Sequence, residues 1–149
     1  MFKSFKNKKI LITGGTGSIG SAVLSKLLKL NCKTIRVLGN DENGLHNLSL
    51  SLTNKNENFF KLMKLNKIRL IYGDITDQER MYNALEDIDI VIHAAAMKHV
   101  PASEYNPSEA IKTNIEGAQN VIKTSLQNNV TKVLFCSYQR IIKIIHIKL

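Results

Sequence analysis

The chain has 149 residues, with 44% hydrophobic and 22% charged residues and a formal net charge of +9. That length supports one domain around one core, and the composition is that of an ordinary globular protein. No apolar run approaches the roughly 20 residues that span a bilayer, and the basic start, Met1 to Lys9, meets Gly14 and Gly15 before a signal-peptide core can form, which argues against a membrane chain.

The lysines are scattered and no aromatic residues interleave with them, so the charge reads as solvated surface and not as a nucleic-acid face. Cys32 and Cys136 stand far apart and form no CxxC. This spacing predicts reduced thiols in a cytoplasmic protein, without a disulfide framework or a metal site.

In chain order, Lys9–Thr13 is a short apolar run that ends in glycines and reads as a buried strand. Ser18 to Leu30 follows with apolar residues at helical spacing. Thr34–Leu38 reads as a second strand. Asp41 to Thr53 reads as a helix, with Leu45, Leu48 and Leu52 on one face and Asp41 as its cap. Residues 54–66 are polar and read as irregular, with Phe59, Phe60, Leu62 and Met63 as local packing. Lys67–Tyr72 is a third strand, Asp77–Glu86 a short helix, and Asp89–His93 a fourth strand. Pro107 opens a helix that runs through Leu126, and Lys132–Cys136 is a fifth strand. Strands that alternate with helices in this way predict an α/β fold, a doubly wound parallel sheet of the Rossmann type occupying residues 1–149 as one domain.

The chemistry begins at Thr13-Gly-Gly-Thr-Gly-Ser-Ile-Gly20, between the first strand and the first helix. Gly14 permits the turn out of the strand, Gly17 lets backbone approach a pyrophosphate, and Gly20 lets the helix pack close. The helix N-terminus then offers free N–H groups to the phosphates. A glycine triplet alone is a weak signal, but here a strand precedes it and an amphipathic helix follows. An acid about 20 residues on would hold the ribose hydroxyls of NAD, and an arginine would accept the phosphate of NADP. Asp41 is either that acid or a helix cap, and no arginine stands beside it, so the choice between NAD and NADP stays open. Asp74 ends the third strand, either facing an adenine or making a turn. Ala94, Ala95 and Ala96 supply the small residues a cofactor needs at the fourth strand's tip, where His93 reads as a packed strand residue.

The stretches 13–20, GDITD (73–77), HAAAMKHVP (93–101), EYNPSEAIKTN (104–114) and GAQNVI (117–122) resemble the extended short-chain dehydrogenase/reductases. Within these, the chain is most similar to UDP-N-acetylglucosamine 4,6-dehydratases and related polysaccharide-biosynthesis proteins, over about residues 9 to 137. The resemblance implies NAD or NADP as cofactor, a UDP-amino sugar as substrate, and homo-oligomeric assembly. It implies hydride removal from C4, loss of water across C5 and C6, and hydride return to C6. Carried over, Gly14, Thr16, Gly17, Ser18, Ile19 and Gly20 would hold the pyrophosphate. Asn40 and Asp41 would meet the adenosine ribose, and Asp74 and Ile75 the adenine. Ala94, Ala95 and Ala96 would line the cofactor. Lys98 would reach the ribose or the substrate, with His99 and Glu104 near the sugar-nucleotide entrance, unless Lys98 and His99 are solvated loop residues.

After Ser137 the likeness ends. The family continues into Thr-Asp-Lys and a Tyr-x-x-x-Lys pair that serves as acid, base and cofactor anchor. Here Tyr138 is followed at position 142 by Ile, and no Tyr-x-x-x-Lys occurs in the chain, so no catalytic residue is assigned. The isoleucine-rich tail forms either a sixth strand or a dangling segment. A shifted reading frame after about Ser137 would produce such a tail, and the downstream DNA tests that idea. The expectation is a Rossmann domain truncated after about the fifth strand, with that strand as a sheet edge and only marginal stability. Three other readings stand beside it: a live enzyme completed by a partner chain, a non-catalytic dinucleotide-binding module, and a basic nucleic-acid-binding domain.

Overall fold

The computed structural model describes residues 5–55, 59–65, 67–136 and 143–146. Five strands run parallel: β1 (Lys9–Thr13), β2 (Thr34–Gly39), β3 (Ile68–Tyr72), β4 (Ile90–His93) and β5 (Lys132–Phe135). A sixth, β6 (Lys143–His146), joins them, and the sheet order is β3-β2-β1-β4-β5-β6. The strand order reverses between β1 and β4, and this switch leaves a crevice beyond the strand tips where open α/β sheets bind ligands.

β6 pairs antiparallel with β5, with Lys132 opposite His146 and Phe135 opposite Lys143. Residues 136–142 separate the two strands. A parallel return needs a crossover of a dozen residues or more, so a link this short permits only the antiparallel one. The expectation that β5 would be an edge is therefore corrected, because β6 covers it. The region around Ser137 and Tyr138 lies outside the described residues.

Each central strand is buried on both faces. In β1, Ile10 and Ile12 point to one side of the sheet, packing with Leu24 and Leu27 of α1 (Ser18–Leu27) and Leu45, Leu48 and Leu52 of α2 (Glu42–Lys55). Leu11 points to the other side, where Met81 of α4 (Gln78–Ala84) and Val121 of α7 (Ala118–Gln127) meet Val91 and Val133. Complete burial of such a side chain contributes roughly 1.5–3 kcal/mol, and the alternation explains why these strands read as continuous apolar runs.

A short helix, α3 (Phe59–Lys64), interrupts the segment that reads as irregular, and another, α5 (Val100–Tyr105), lies in a stretch for which the sequence predicts no element. Leu62 and Met63 of α3 pack against the α1/α2 core, as local packing required. The helix expected from Pro107 is one continuous path in three parts: α6 (Pro107–Ile111), a π-helical segment (Lys112–Gly117) and α7. Arg36 of β2 locks the end of α4 by donating from Nη1 to the carbonyls of Ala84 at 2.7 Å and Glu86 at 2.8 Å.

Candidate dinucleotide site

The crevice is shaped first by the exit from β1. Gly14 takes φ +67°, a backbone conformation that side chains disfavour. Its N–H donates to Leu38 O at 2.9 Å, and Gly17 N–H donates to Gly14 O at 3.1 Å. A Cβ on Gly14 would sit 2.5 Å from the Cα and N of Ala95, so the turn lies directly against the exit of β4. A Cβ on Gly20 would strike the Gly14 carbonyl and come within 2.7 Å of Gly15 Cα, which is why α1 can start so close to the sheet. At Gly17 a Cβ would touch only Gly14 O at 3.4 Å and otherwise enter open space. α1 starts after Gly17, whose position offers no side-chain cap, so its first-turn amides remain available to an acceptor.

The tips of β1 and β4 are joined by a buried pair. Thr13 and His93 sit opposite each other, and Thr13 Oγ1 shares a hydrogen bond of 2.7 Å with His93 Nδ1. The His93 ring meets Phe135 edge-on, with ring centres 5.0 Å apart. Burial lowers the His93 pKa to about 4, so the ring is neutral and fixed beneath the crevice floor.

The tips of β2 and β3 are joined by Asn40 and Asp74. Asn40 Nδ2 donates to Asp74 Oδ2 at 2.7 Å, while Thr76 N and Thr76 Oγ1 donate to Asp74 Oδ1, each at 2.8 Å. Burial raises the Asp74 pKa, but the hydrogen bonds from Thr76 and Asn40 and the charge of Lys112 outweigh it and hold the carboxyl below its ordinary value. Asp74 thus makes the turn that sequence left as one of two roles. Asp41 likewise caps α2, accepting Gly44 N–H at 2.9 Å.

Together these elements enclose a cleft of about 250 Å³. It brings together Gly14, Thr16, Gly17, Asn40, Asp74, Ile75, Ala94, Ala95, Ala96, Lys98 and His99, all expected from sequence. Ser18 and Ile19 stand outside its lining at the start of α1, Gly20 is buried beneath the turn, and Asp41 faces its own helix. Glu104 is exposed on α5, away from the lining.

Leu38, Gly39, Gly73 and Thr113 also line the cleft, and sequence reasoning passed over them. Gly39 and Gly73 carried a usable signal, since each follows an apolar strand run just as Gly14 does. A further residue, Asn114, holds the loop that carries Lys98. Its Oδ1 accepts Met97 N–H and its Nδ2 donates to Met97 O, both at 2.8 Å. Asn114 lies in the π-helical segment, a deformation that recurs at functional sites.

The described residues fit a dinucleotide: a side-chain-free turn, uncapped helix amides, and a wall of alanines where a ring could lie flat. They offer no metal centre, since no group of three His, Cys, Asp or Glu residues comes together among them. Cys32 and Cys136 are free, and burial pushes both thiols up, away from the reactive thiolate.

Comparison with known proteins agrees with this geometry. A family model described as polysaccharide biosynthesis protein matches residues 10–147. An uncharacterised membrane protein of Methanocaldococcus jannaschii is 43% identical over 96% of this chain and 40% of its own length. No helix among the described residues here is long and apolar enough to cross a membrane. An inverting UDP-N-acetylglucosamine 4,6-dehydratase of Campylobacter jejuni is 44% identical, and a UDP-glucose 4-epimerase of Rickettsia prowazekii 39% identical, each over 89% of this chain and 37% of the relative. The solved structure of Pen from Bacillus thuringiensis superposes with a TM-score of 0.78 at 44% identity, over 88% of this chain and 38% of that one. The chain therefore spans about two fifths of the length of these relatives, and it belongs to the polysaccharide biosynthesis protein family of nucleotide-sugar dehydratases and epimerases, carrying their Rossmann fold.

Proposed function

We propose that this chain is the NAD(P)-binding part of a UDP-sugar 4,6-dehydratase acting on a UDP-N-acetylglucosamine-like substrate in glycan biosynthesis, in the cytoplasm, where nucleotide sugars are available. The observation that carries this reading is the cleft at the switch point: a glycine turn with open backbone beside a wall of three alanines, next to Lys98 and His99. When bound, the nicotinamide supplies the hydride acceptor and donor.

The chain's own residues would do the rest of the positioning. Gly14, Thr16 and Gly17 present backbone to the pyrophosphate, assisted by the first-turn amides of α1. Ile75 and the Asp74 turn bound the adenine end. Ala94, Ala95 and Ala96 leave room for the cofactor across the tip of β4. Lys98 and His99 stand where the sugar nucleotide would enter, held in place by the Asn114 bonds to Met97. No Tyr-x-x-x-Lys pair occurs in these 149 residues, so the proton transfers at the sugar need groups supplied from elsewhere.

The 4-epimerase reading shares the first step, hydride leaving C4, and the same residues serve it. The dehydratase is preferred because the Campylobacter relative is the more similar of the two at 44% against 39% identity. Calorimetric titration with NADP+ and NAD+ tests the proposal. Saturable binding of either supports a working nucleotide half. Absence of binding of both removes the reading.

A further inference from the structure

At the end of the sheet opposite the crevice, the strand register sets cations side by side. Arg36 of β2 stands opposite Arg69 of β3, and Lys9 of β1 stands opposite Thr34. Arg36 is also the register partner of Leu11, so the alternation of side chains puts Lys9, Thr34, Arg36 and Arg69 on the α4 face of the sheet. Lys33 and Lys67 come just before β2 and β3. Together with Lys9, Arg36 and Arg69 they line a cavity of about 370 Å³.

Like charges on directly opposed strand positions repel, so sheet pairing gives these residues no reason to be neighbours. No carboxylate lines the cavity. Asp87 pairs with Lys9 at 3.0 Å, and Glu86 and Asp87 act on Arg36 from nearby. Lys33, Lys67 and Arg69 make no ion pair or side-chain hydrogen bond among the described residues. Arg36 is fixed by the bonds from its Nη1 to the carbonyls of Ala84 and Glu86, while its Nε is buried without a partner among the described residues. Burial and the charge of Arg69 both lower the Arg36 pKa. Lysines on a convex surface are solvated one by one, whereas here a positioned guanidinium and four more cations share one concavity.

We propose that this cavity is a second anion site, separate from the dinucleotide cleft, and that it takes a compact ligand with two or more linked phosphates: an inorganic polyphosphate or the tail of a nucleoside triphosphate. Neighbouring strands lie about 4.8 Å apart, so cations on three strands span roughly 10 Å, which suits a chain of phosphates better than a single one. Arg36 and Arg69 offer planar forks to phosphate oxygens, and the lysines offer compact charges on flexible stems. No aromatic residue lines the cavity, so a base has nothing to stack on and the phosphates themselves are what is recognised. A bound anion also offsets the repulsion between Arg36 and Arg69. The site lies at the far end of the strands from the glycine turn, and the inference does not depend on the dinucleotide-binding reading above.

The test is an amide NMR titration of the whole chain with sodium tripolyphosphate and with magnesium-free ATP, at constant ionic strength, with sulfate as the comparison anion. Saturable shifts are expected at residues 33–36 and 67–69, resolved from any at residues 14–18, where phosphates meeting the glycine turn would be read. Tripolyphosphate should bind at least about tenfold more tightly than sulfate, and Lys67→Gln combined with Arg69→Gln should weaken it by about tenfold or more, with the remaining amides reporting an unchanged fold. Lys33→Gln, on a different segment, should weaken binding in the same direction. Equal affinity for ATP and tripolyphosphate assigns recognition to the phosphate chain from either source, and tighter ATP assigns the site to a nucleoside triphosphate. Four outcomes overturn the proposal: shifts that sulfate matches or that never saturate, shifts confined to residues 14–18, unchanged affinity in the variants, or a single-stranded oligonucleotide bound through the same amides more tightly than tripolyphosphate.

Discussion

At the scale of single residues, two positions decide whether the crevice exists. Gly14 combines a positive φ with an approach to Ala95 that leaves no room for a methyl group. Gly14→Ala is expected to cost about 1–3 kcal/mol in backbone strain alone and to abolish saturable cofactor binding, which thermal melting and calorimetry would read. His93 acts through protonation. Unfolded, it takes up a proton near its ordinary pKa; folded, it does so only near 4. Between those values the unfolded state holds more protons, so stability rises with pH across the window. It is fully present above about pH 6.5 and declines by up to about 3 kcal/mol as the pH falls to about 4. Urea titrations at pH 7 and pH 4.5 should show a large difference for the parent and a much smaller one for His93→Gln. Asp74, held low by its donors, loses its contribution at more acid pH in both proteins, so it does not obscure the comparison. Equal pH dependence in the two would show that His93 is not the source.

At the scale of elements, legibility followed the range of the determining contacts. β1, the glycine turn and α1 were readable because their signals are local: an apolar run, three glycines and a helical stripe. α3 was hidden by the polar residues around it, and α5 by its exposure, since none of its residues is buried and no apolar stripe marks it. The π-helical segment was invisible for a different reason, because its period departs from the 3.6 residues on which the stripe depends. Asn114 and Met97 are 17 positions apart, and no spacing rule connects an asparagine to a peptide group at that distance. Asp41 and Asp74 each carried two readings, a cofactor contact or a local cap or turn, and only the coordinates show the hydrogen bonds by which Asp41 caps α2 and Asp74 makes the turn after β3. Asn114→Leu is expected to destabilise the fold by about 0.5–1.5 kcal/mol, because the Met97 N–H and C=O lose their partner and turn to water. Hydrogen exchange at Met97 and Lys98 should accelerate more than at β4. Uniform acceleration would mean that the asparagine supports the whole fold and not this loop.

At the scale of the molecule, the parallel, doubly wound sheet was readable from the alternation of elements, while the direction of β6 was not. Its direction follows from the short link after β5 and from pairing that only the assembled sheet reveals. A chain ending at Cys136 would present β5 unpaired, and an apolar edge of that kind promotes association. Light scattering at raised protein concentration should show aggregation of that shortened chain at concentrations where the full chain stays dispersed. Comparable behaviour would show that β6 is dispensable for solubility. The hairpin has a practical consequence as well. β1 starts, and β6 finishes, at the end of the sheet opposite the crevice, with His146 alongside Lys132 and Lys9 opening the first strand. A biosensor surface coupled through Lys8, just before the first strand, would therefore hold the domain from behind, with the crevice facing the solution.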